Sequence, residues 1–457
     1  MPGTLDRQRK LTGHAKLLQW WLNLRRLLYL LSVMNRFLLV LGVLVSTAAT
    51  SQEVVLRHVL SGGQLETLEN VVLQFNEAQK GKGKVILQAA SGEDDVHTKV
   101  HMGLLDAGDS MKFFGTLPRF IPLQQMMKEH AQQLSAKEFF PQIADTVDDS
   151  NGQLQALPLG LNFPVLFLNR TLLAKAGKTD PVEPRSWVDL QELAGDLRTS
   201  GSACPLTSSN FSWIHVENLA AQHGQAILPV QANKRSPEVI RVNGLVNVKH
   251  LALLATWQRS KYFIYSGPGR EADARFLSGE CAMLTGESSL FAEIVRHGID
   301  ASVAPLPYYD DMSEARPSDL LPDGSSLWIL AGHKKPEYQL IARFVRYLML
   351  PETQRTWVKG TTFLPMSSAA VKALQEATNI PNSQKEGLVK RLSMPRKAGE
   401  HLRNGSTRDL LRAIFNEEVL SVWNEKYPAK QALDVTSARA NTVPAANAKP
   451  AGAVPGK

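Results

Sequence analysis

The stretch that decides the fold class is Glu53-Val-Val-Leu-Arg-His58, which reads as a short strand closed by the turn Ser61-Gly-Gly63. A second strand-like run spans Lys84–Ala89. Between the two runs, apolar residues recur at helical spacing, at Leu65, Leu68, Val71, Val72 and Phe75. This strand–helix–strand order predicts an α/β lobe with a largely parallel sheet. The next segment, His97–Leu105, is predicted to be a helix.

The net charge of +8 is concentrated at the N-terminus. Residues 1–51 carry +6 of it, which leaves a nearly neutral body and no basic face of the kind that nucleic acid requires. The leader resembles a secretory signal that starts at Met34, with the apolar run Phe37–Val45 and small residues at Ser46–Ser51. An uncleaved membrane anchor over Leu17–Ala49 is the alternative. We therefore expect export to the periplasm.

The chain has two cysteines, Cys204 and Cys281. In an exported protein such a pair is more often bridged than free, so a disulfide is predicted. Two buried thiols remain the alternative.

The indole of Trp213 lies among hydrogen-bonding side chains, in Asn210-Phe-Ser-Trp-Ile-His-Val-Glu-Asn218. An exposed indole with polar neighbours can cover the apolar face of a polyol while the neighbours bind its hydroxyls. The alternative is that Trp213 is buried and anchors a helix. On the first interpretation, Trp213→Ala should abolish ligand binding and leave the fold intact.

The chain resembles the periplasmic solute-binding proteins of ABC importers. More narrowly, it is similar to the sn-glycerol-3-phosphate-binding receptors among the family 1 extracellular solute-binding proteins. The resemblance covers residues 53–435. It is carried by Pro164-Val-Leu-Phe-Leu-Asn169, Trp213-Ile-His-Val-Glu-Asn218, Ser278-Gly-Glu-Cys-Ala-Met283, Gly324-Ser-Ser-Leu-Trp328, Thr362-Phe-Leu-Pro365 and Glu417-Glu418 with Ser421-Val-Trp423.

The resemblance implies two α/β lobes of the type II, maltose-binding-protein-like arrangement, which close on a ligand. The N-terminal lobe would comprise 53–162 and 329–362, and the C-terminal lobe 165–326 and 363–435. A disordered tail would follow at 436–457. Chain crossings are implied near Asn162–Val165, Ser326–Trp328 and Phe363–Pro365.

When the residues of the family are matched to this chain position by position, the resemblance implies a set of ligand contacts. Each of these residues could instead have a purely structural role. The implied contacts are Asn162, Asn210, Trp213, Ser288, Ser289, Gly324, Phe363 and Arg403, with Asn404 as an alternative to the last. Two departures weaken the identification of the ligand. Asn210 replaces a second tryptophan of the relatives, and Phe363 replaces a tyrosine and so lacks its hydroxyl. The ligand is therefore expected to be a polyol phosphate, a glycerophosphodiester or a sugar.

Other chemistries have weaker support. The pair His97 and His101 has metal-ligand spacing but no evident third ligand, so no metal and no cofactor are expected. A carboxylate pair among Glu217, Glu287 and Asp323 would suit a secreted carbohydrate hydrolase. The main prediction is a monomeric, non-enzymatic receptor that delivers its ligand to an inner-membrane ABC permease. A binding-protein fold that acts as a sensor is the third alternative.

Overall fold

A computed structural model describes most of the chain after the leader. The described residues are 20, 21, 25, 52–90, 99–105, 120–148, 152–179, 182–225, 227, 239–312, 321–376, 385, 388–390, 392–393 and 405–442. Met1–Gln52 and Glu53–Lys457 are separate units, and the fold below is that of the second. The predicted signal or anchor lies almost wholly outside the described residues. Among those residues, no helix has the length and apolar content needed to cross a bilayer.

Two five-stranded sheets form the framework of Glu53–Lys457. The strands are β1 (Glu53–His58), β2 (Lys84–Ala89), β3 (Met102–Leu105), β4 (Leu157–Asn162), β5 (Pro164–Asn169), β6 (Cys204–Ser208), β7 (Phe263–Ile264), β8 (Cys281–Glu287), β9 (Ala301–Pro305) and β10 (Asp323–Ile329). The first sheet has the order β2-β1-β3-β10-β4, and the second has the order β7-β6-β8-β5-β9. Each sheet with its helices makes one lobe.

The sheets are mixed, whereas a largely parallel sheet was predicted. In the first sheet β1 is parallel to β2 and β3, and β10 is antiparallel to β3 and β4. In the second sheet β6 is parallel to β7 and β8, and β5 is antiparallel to β8 and β9. The antiparallel strands β5 and β10 are those that follow a passage of the chain from the other sheet, so local patterning could not reveal their direction.

Helices cover the sheets. They are α1 (Gly62–Ala78), α2 (Leu123–Glu129), α3 (Pro141–Ala144), α4 (Arg170–Lys175), α5 (Trp187–Thr199), α6 (Leu219–Gln222), α7 (Leu245–Arg259), α8 (Glu271–Leu277), α9 (Phe291–Arg296), α10 (Lys335–Leu348), α11 (Pro351–Thr361), α12 (Val371–Glu376), α13 (Gly405–Trp423) and α14 (Ala429–Thr442). The π-helical turn Trp213–Asn218 leads into α6, and the 3-10 turn Ser288–Leu290 leads into α9.

Strand β5 shows how the sequence pattern builds the core. Its side chains alternate, so Val165 and Phe167 belong to one buried cluster, and Leu166 and Leu168 to another. The first cluster extends from the first sheet to one face of the second, and the other fills the opposite face of the second sheet. A strand buried on both sides is continuously apolar, which explains the run that the sequence shows.

The chain passes between the lobes at places that only partly match the predictions. Phe163 separates β4 of the first sheet from β5 of the second, as predicted. The second passage lies between Pro305 and Asp323, so all of β10 belongs to the first sheet, and the predicted boundary at 326–329 is wrong.

The third passage was predicted at Phe363–Pro365, which is also wrong. Leu364 N donates to Leu161 O at 2.8 Å, and Phe140 N donates to Met366 O at 3.0 Å, so this segment stays on the first lobe. Further along the chain, Leu392 packs in the first cluster and Leu411 of α13 packs in the second.

Two further predictions of local structure are wrong. Met102–Leu105 is a buried strand rather than the end of a helix, because a short apolar run has no period that separates the two. The tail was expected to be disordered from Thr436, but α14 continues to Thr442. Its Ser437 Oγ accepts from Val242 N at 3.1 Å, and Asn441 bonds both backbone groups of Ile240. These tertiary contacts stabilise a helix that the composition and periodicity of its sequence do not indicate. Residues 443–457 lie outside the described residues.

Candidate functional site

The site is built where the chain passes from β4 to β5. Asn162 ends β4 and is buried, and its Oδ1 accepts from Ser289 N at 3.1 Å. Ser288 N donates to Phe163 O at 2.9 Å, and Phe163 N donates to Ser288 Oγ at 3.3 Å. The turn Ser288–Leu290 of the second lobe is thereby attached to the crossing residue. Three residues predicted from the resemblance are thus brought into contact.

The two adjacent serines differ in what their hydroxyls do. The Ser288 hydroxyl is engaged by Phe163. Ser289 is fully buried, its carbonyl accepts from Thr362 Oγ1 at 3.0 Å, and its own Oγ has no hydrogen-bond partner among the described residues. A buried hydroxyl without a partner is unfavourable unless a ligand or water satisfies it. Ser289 is therefore the serine whose side chain remains available.

Gly324 lies next to Asn162 because Asp323 and Asn162 are partners in the β10–β4 ladder. Its φ is 137°, and a Cβ at this position would lie 2.3 Å from Gly160 O and 3.2 Å from Asn162 Nδ2. Both the backbone conformation and the close approach require glycine. Gly324 lets two strands meet tightly at the crossing, which is a structural role.

Phe363 also lies on the first lobe, against the crossing strand. It is buried, its ring packs over Gly160, and it stacks on Trp357 with centroids 6.0 Å apart. Arg403 and Asn404 lie outside the described residues.

Trp213 is buried rather than exposed in an open cleft. Its side chain contacts Ile214 and Leu306, and its Nε1–H donates to Leu321 O at 2.9 Å. Asn218 bonds Leu321 N at 2.7 Å and Trp213 O at 3.0 Å. The indole thus contacts the segment that connects the second sheet to β10 at both of its described ends.

Asn210 begins the same motif with a φ of 44°, a conformation that asparagine tolerates better than most residues. Its Nδ2 donates to Glu287 Oε1 at 2.9 Å, and Arg270 Nε lies 3.8 Å from Glu287 Oε2. Asn210 therefore orients the carboxylate at the end of β8, immediately before Ser288.

Arg412, which the sequence analysis missed, connects the lobes. It lies on α13, and its Nη2 donates to Glu217 Oε2 at 2.8 Å while Nε bonds the other oxygen of that carboxylate. Its Nη1 bonds Asp323, the first residue of β10. Arg408, one turn earlier, places Nη2 3.5 Å from the same aspartate. The sequence signal for this cluster is the four-residue spacing of Arg408 and Arg412, which places both on one face of a helix.

The charges at this cluster determine the state of Asp323. Burial opposes its ionisation most strongly, but Arg408 and Arg412 together outweigh burial and lower the pKa of the Asp323 carboxyl. For Arg412, the two carboxylates outweigh burial and raise the pKa of the guanidinium well above its usual value. The third hydrolase candidate, Glu287, is held by Asn210. A general acid needs a raised pKa, whereas the pKa of Asp323 is lowered. Asp323 and Glu217 are both ion-paired with Arg412 and act as its counter-ions.

His101 lies near His333 and Glu337. His97, its partner in the predicted metal-ligand spacing, lies outside the described residues. Val55 N donates to His101 Nδ1 at 3.0 Å, so the proton of the neutral ring is on Nε2. Burial, with the charges of His333 and Lys99, lowers the pKa of His101 to about 4. A nitrogen that carries a proton cannot bind a metal, and Lys99 already bonds Glu337, so this cluster is a poor metal site.

Two lobes, with polar side chains gathered where the chain passes between them, define a two-lobed binding protein. The chain belongs to the family of bacterial extracellular solute-binding proteins, whose sequence model matches residues 70–382. Similar proteins include the sn-glycerol-3-phosphate-binding periplasmic protein UgpB of Escherichia coli K12, which is 30% identical over 331 residues. The match covers 70% of this chain and 74% of the relative. The Yersinia enterocolitica protein of the same name is 29% identical over 328 residues, with the same coverage.

Solved structures show the same maltose-binding-protein-like fold. Maltose-bound MalE3 of T. maritima has a TM-score of 0.66 and 16% identity, with 86% of this chain and 99% of that one covered. UgpB of Mycobacterium tuberculosis in complex with glycerophosphocholine has a TM-score of 0.64 and 15% identity, with coverages of 86% and 97%.

Proposed function

We propose that this chain captures a small polyol phosphate, a glycerophosphodiester or a related sugar in the periplasm and delivers it to an ABC permease. The observation that carries the proposal is the convergence of Ser289, Arg408 and Arg412 around Asn162 and Asp323, where the lobes join. The E. coli and Yersinia relatives are named for binding sn-glycerol 3-phosphate, and the M. tuberculosis relative was solved with glycerophosphocholine. The protein acts by binding and not by catalysis, as a monomer.

Donors at the site remain for an oxygen-rich ligand. A guanidinium has five N–H groups, and the contacts above use three of those on Arg412. Arg408 Nε is buried and has no hydrogen-bond partner among the described residues, as for Ser289 Oγ. An anionic or hydroxylated ligand would satisfy these groups with charge-assisted hydrogen bonds. These donors belong to the second lobe and lie beside Asn162 and Asp323 of the first, so a ligand that contacts both sets of residues favours closure.

Indole substitution is a poor test of this proposal. Trp213 is 3% exposed, so its replacement by alanine should cost about 3–5 kcal/mol of stability, in contrast to the intact fold expected from the sequence. A loss of binding in that variant would not separate contact from unfolding.

The adjacent serines provide a sharper test. Ser289→Ala removes a hydroxyl with no described partner, so the melting temperature without ligand should stay close to that of the wild type. Ser288→Ala removes the acceptor for Phe163 N and should cost about 1 kcal/mol. Thermal unfolding in the presence of sn-glycerol 3-phosphate, glycerophosphocholine or maltose identifies the ligand. A ligand at 100 times its dissociation constant stabilises the folded protein by about 2.7 kcal/mol.

We expect one of the three compounds to raise the melting temperature of the wild type and of Ser288→Ala, and to raise that of Ser289→Ala much less. An equal shift in Ser289→Ala would remove Ser289 from the site. If chromatography showed that the protein consumes the added compound, the alternative function of a carbohydrate hydrolase would be favoured over the binding protein.

A further inference from the structure

The N-terminus of helix α1, in the first lobe, is capped by a residue of the second lobe. Gly63 N donates to Glu293 Oε1 at 3.1 Å. Glu293 lies on α9, between β8 and β9 of the second sheet, and α1 lies between β1 and β2 of the first. The two residues are 230 positions apart in the sequence. The contact therefore links the two lobes.

Helix α1 has no cap of its own. The side chain of Ser61, at the N-cap position, makes no capping hydrogen bond, and the first turn contains no acidic residue. A helix of 17 residues presents free N–H groups and a partial positive charge at this end, which a carboxylate stabilises. Glu293 supplies that carboxylate from across the cleft.

Two neighbouring features support this contact. Gly62 has a φ of 54°, and a Cβ there would lie 2.2 Å from Glu293 Oε1, so glycine makes room for the carboxylate. One helical turn along each element, Arg296 Nη2 lies 2.7 Å from Glu66 Oε1. This exposed ion pair is weaker than the cap but adds a second link between the same two helices.

We propose that the Glu293–Gly63 contact is a closure latch that sets the balance between closed and open lobes before any ligand binds. A contact made only in the closed state raises the population of that state. Because apparent affinity scales with the population able to bind, the latch also sets how tightly the receptor holds its ligand. Glu293 thus influences affinity through the population of the closed state.

Small-angle X-ray scattering and hydrogen exchange of the purified protein test the latch without ligand. Glu293→Ala should lower the ratio of closed to open molecules by about tenfold, which raises the radius of gyration and speeds exchange of the Gly63 amide. Glu293→Gln keeps an acceptor but removes the charge, so it should act in the same direction by about threefold. Glu280→Ala is the matched control, since Glu280 pairs with Arg275 inside the second lobe.

The glycine offers a test of mechanism. Gly62→Ala alone should displace Glu293 and lower the ratio of closed to open molecules. The same change added to Glu293→Ala should lower that ratio no further. The latch is refuted if Glu293→Ala and Glu293→Gln scatter like the Glu280→Ala control, or if the wild type is already as open as Glu293→Ala. Because no ligand is present, these outcomes do not depend on the proposed ligand.

Discussion

At the scale of single residues, Arg412 shows how one side chain can join two lobes. It holds Glu217 of the second lobe with two hydrogen bonds and Asp323 of the first with a third. Its side chain is only 17% exposed, so removal of the guanidinium would leave two carboxylates shielded from water. Breaking such a buried pair usually costs far more than breaking a pair on the surface.

We predict that Arg412→Gln lowers the free energy of unfolding by about 3–5 kcal/mol. The matched control is Arg439→Gln, because Arg439 also holds two carboxylates, Glu417 and Glu418, but is 42% exposed. That change should cost at most about 1 kcal/mol. Urea unfolding of the three proteins measures the difference, and equal losses in both variants would mean that Arg412 is not a buried bridge.

At the scale of secondary-structure elements, a chain of hydrogen bonds connects α7, the turn Trp213–Asn218 and β6. Tyr309 Oη lies 2.9 Å from His250 Nδ1, and His250 Nε2 lies 2.9 Å from His215 Nδ1. His215 Nε2 lies 2.9 Å from Ser208 Oγ, which itself donates to Ser209 O. One arrangement of protons satisfies the chain, with both imidazoles neutral and protonated on Nε2. The chain holds the turn that carries Trp213 and Glu217.

The two buried histidines of this hydrogen-bonded chain predict a dependence of stability on pH. Burial lowers the pKa of His215 to about 3, and burial together with His215 and His223 lowers that of His250 well below 6.5. A lowered pKa in the folded state means that acid favours unfolding. The stabilisation is therefore complete above about pH 6.5 and is lost as the pH falls toward the folded pKa.

We expect His215→Gln, which keeps one donor and one acceptor but cannot titrate, to make stability less sensitive to acid. The slope of unfolding free energy against pH between 6 and 4 should decrease by about 1.4 kcal/mol per pH unit. Urea unfolding at several pH values measures it. An unchanged slope would show that His215 is protonated in the folded protein.

At the scale of the whole molecule, one covalent link ties the second lobe together. Cys204 and Cys281 form a disulfide between the neighbouring strands β6 and β8, where they are ladder partners and fully buried. The bridge closes a loop of 77 residues that contains α7 and α8. A crosslink over a long loop restricts the unfolded chain more than a short one does.

We predict that Cys204→Ala with Cys281→Ala lowers the free energy of unfolding by about 2–4 kcal/mol. The wild type unfolded in the presence of a reductant should show a similar loss, whereas the reductant should leave the double variant unchanged. A thiol assay on the unfolded, non-reduced wild type should find no reactive group. Two reactive thiols would contradict the bridge.

Local sequence alone determined the parts of this protein that depend on neighbours along the chain. The helical spacing of the apolar residues from Leu65 to Phe75 predicted α1, because that spacing reports which face of a helix is covered. Asn162, Ser288 and Ser289 were implied as ligand contacts only by the resemblance to the solute-binding family, and their role in binding stays a prediction.

Contacts between residues far apart in the sequence depend on the three-dimensional fold. Arg412 meets Asp323 across 89 positions and Glu217 across 195, and Glu293 meets Gly63 across 230. No local pattern encodes such pairs. Their geometry depends on how the chain passes from one sheet to the other before β5 and before β10. For the same reason the sequence could not show that Trp213 is covered by the segment before β10, or that contacts with Val242 and Ile240 keep α14 folded to Thr442.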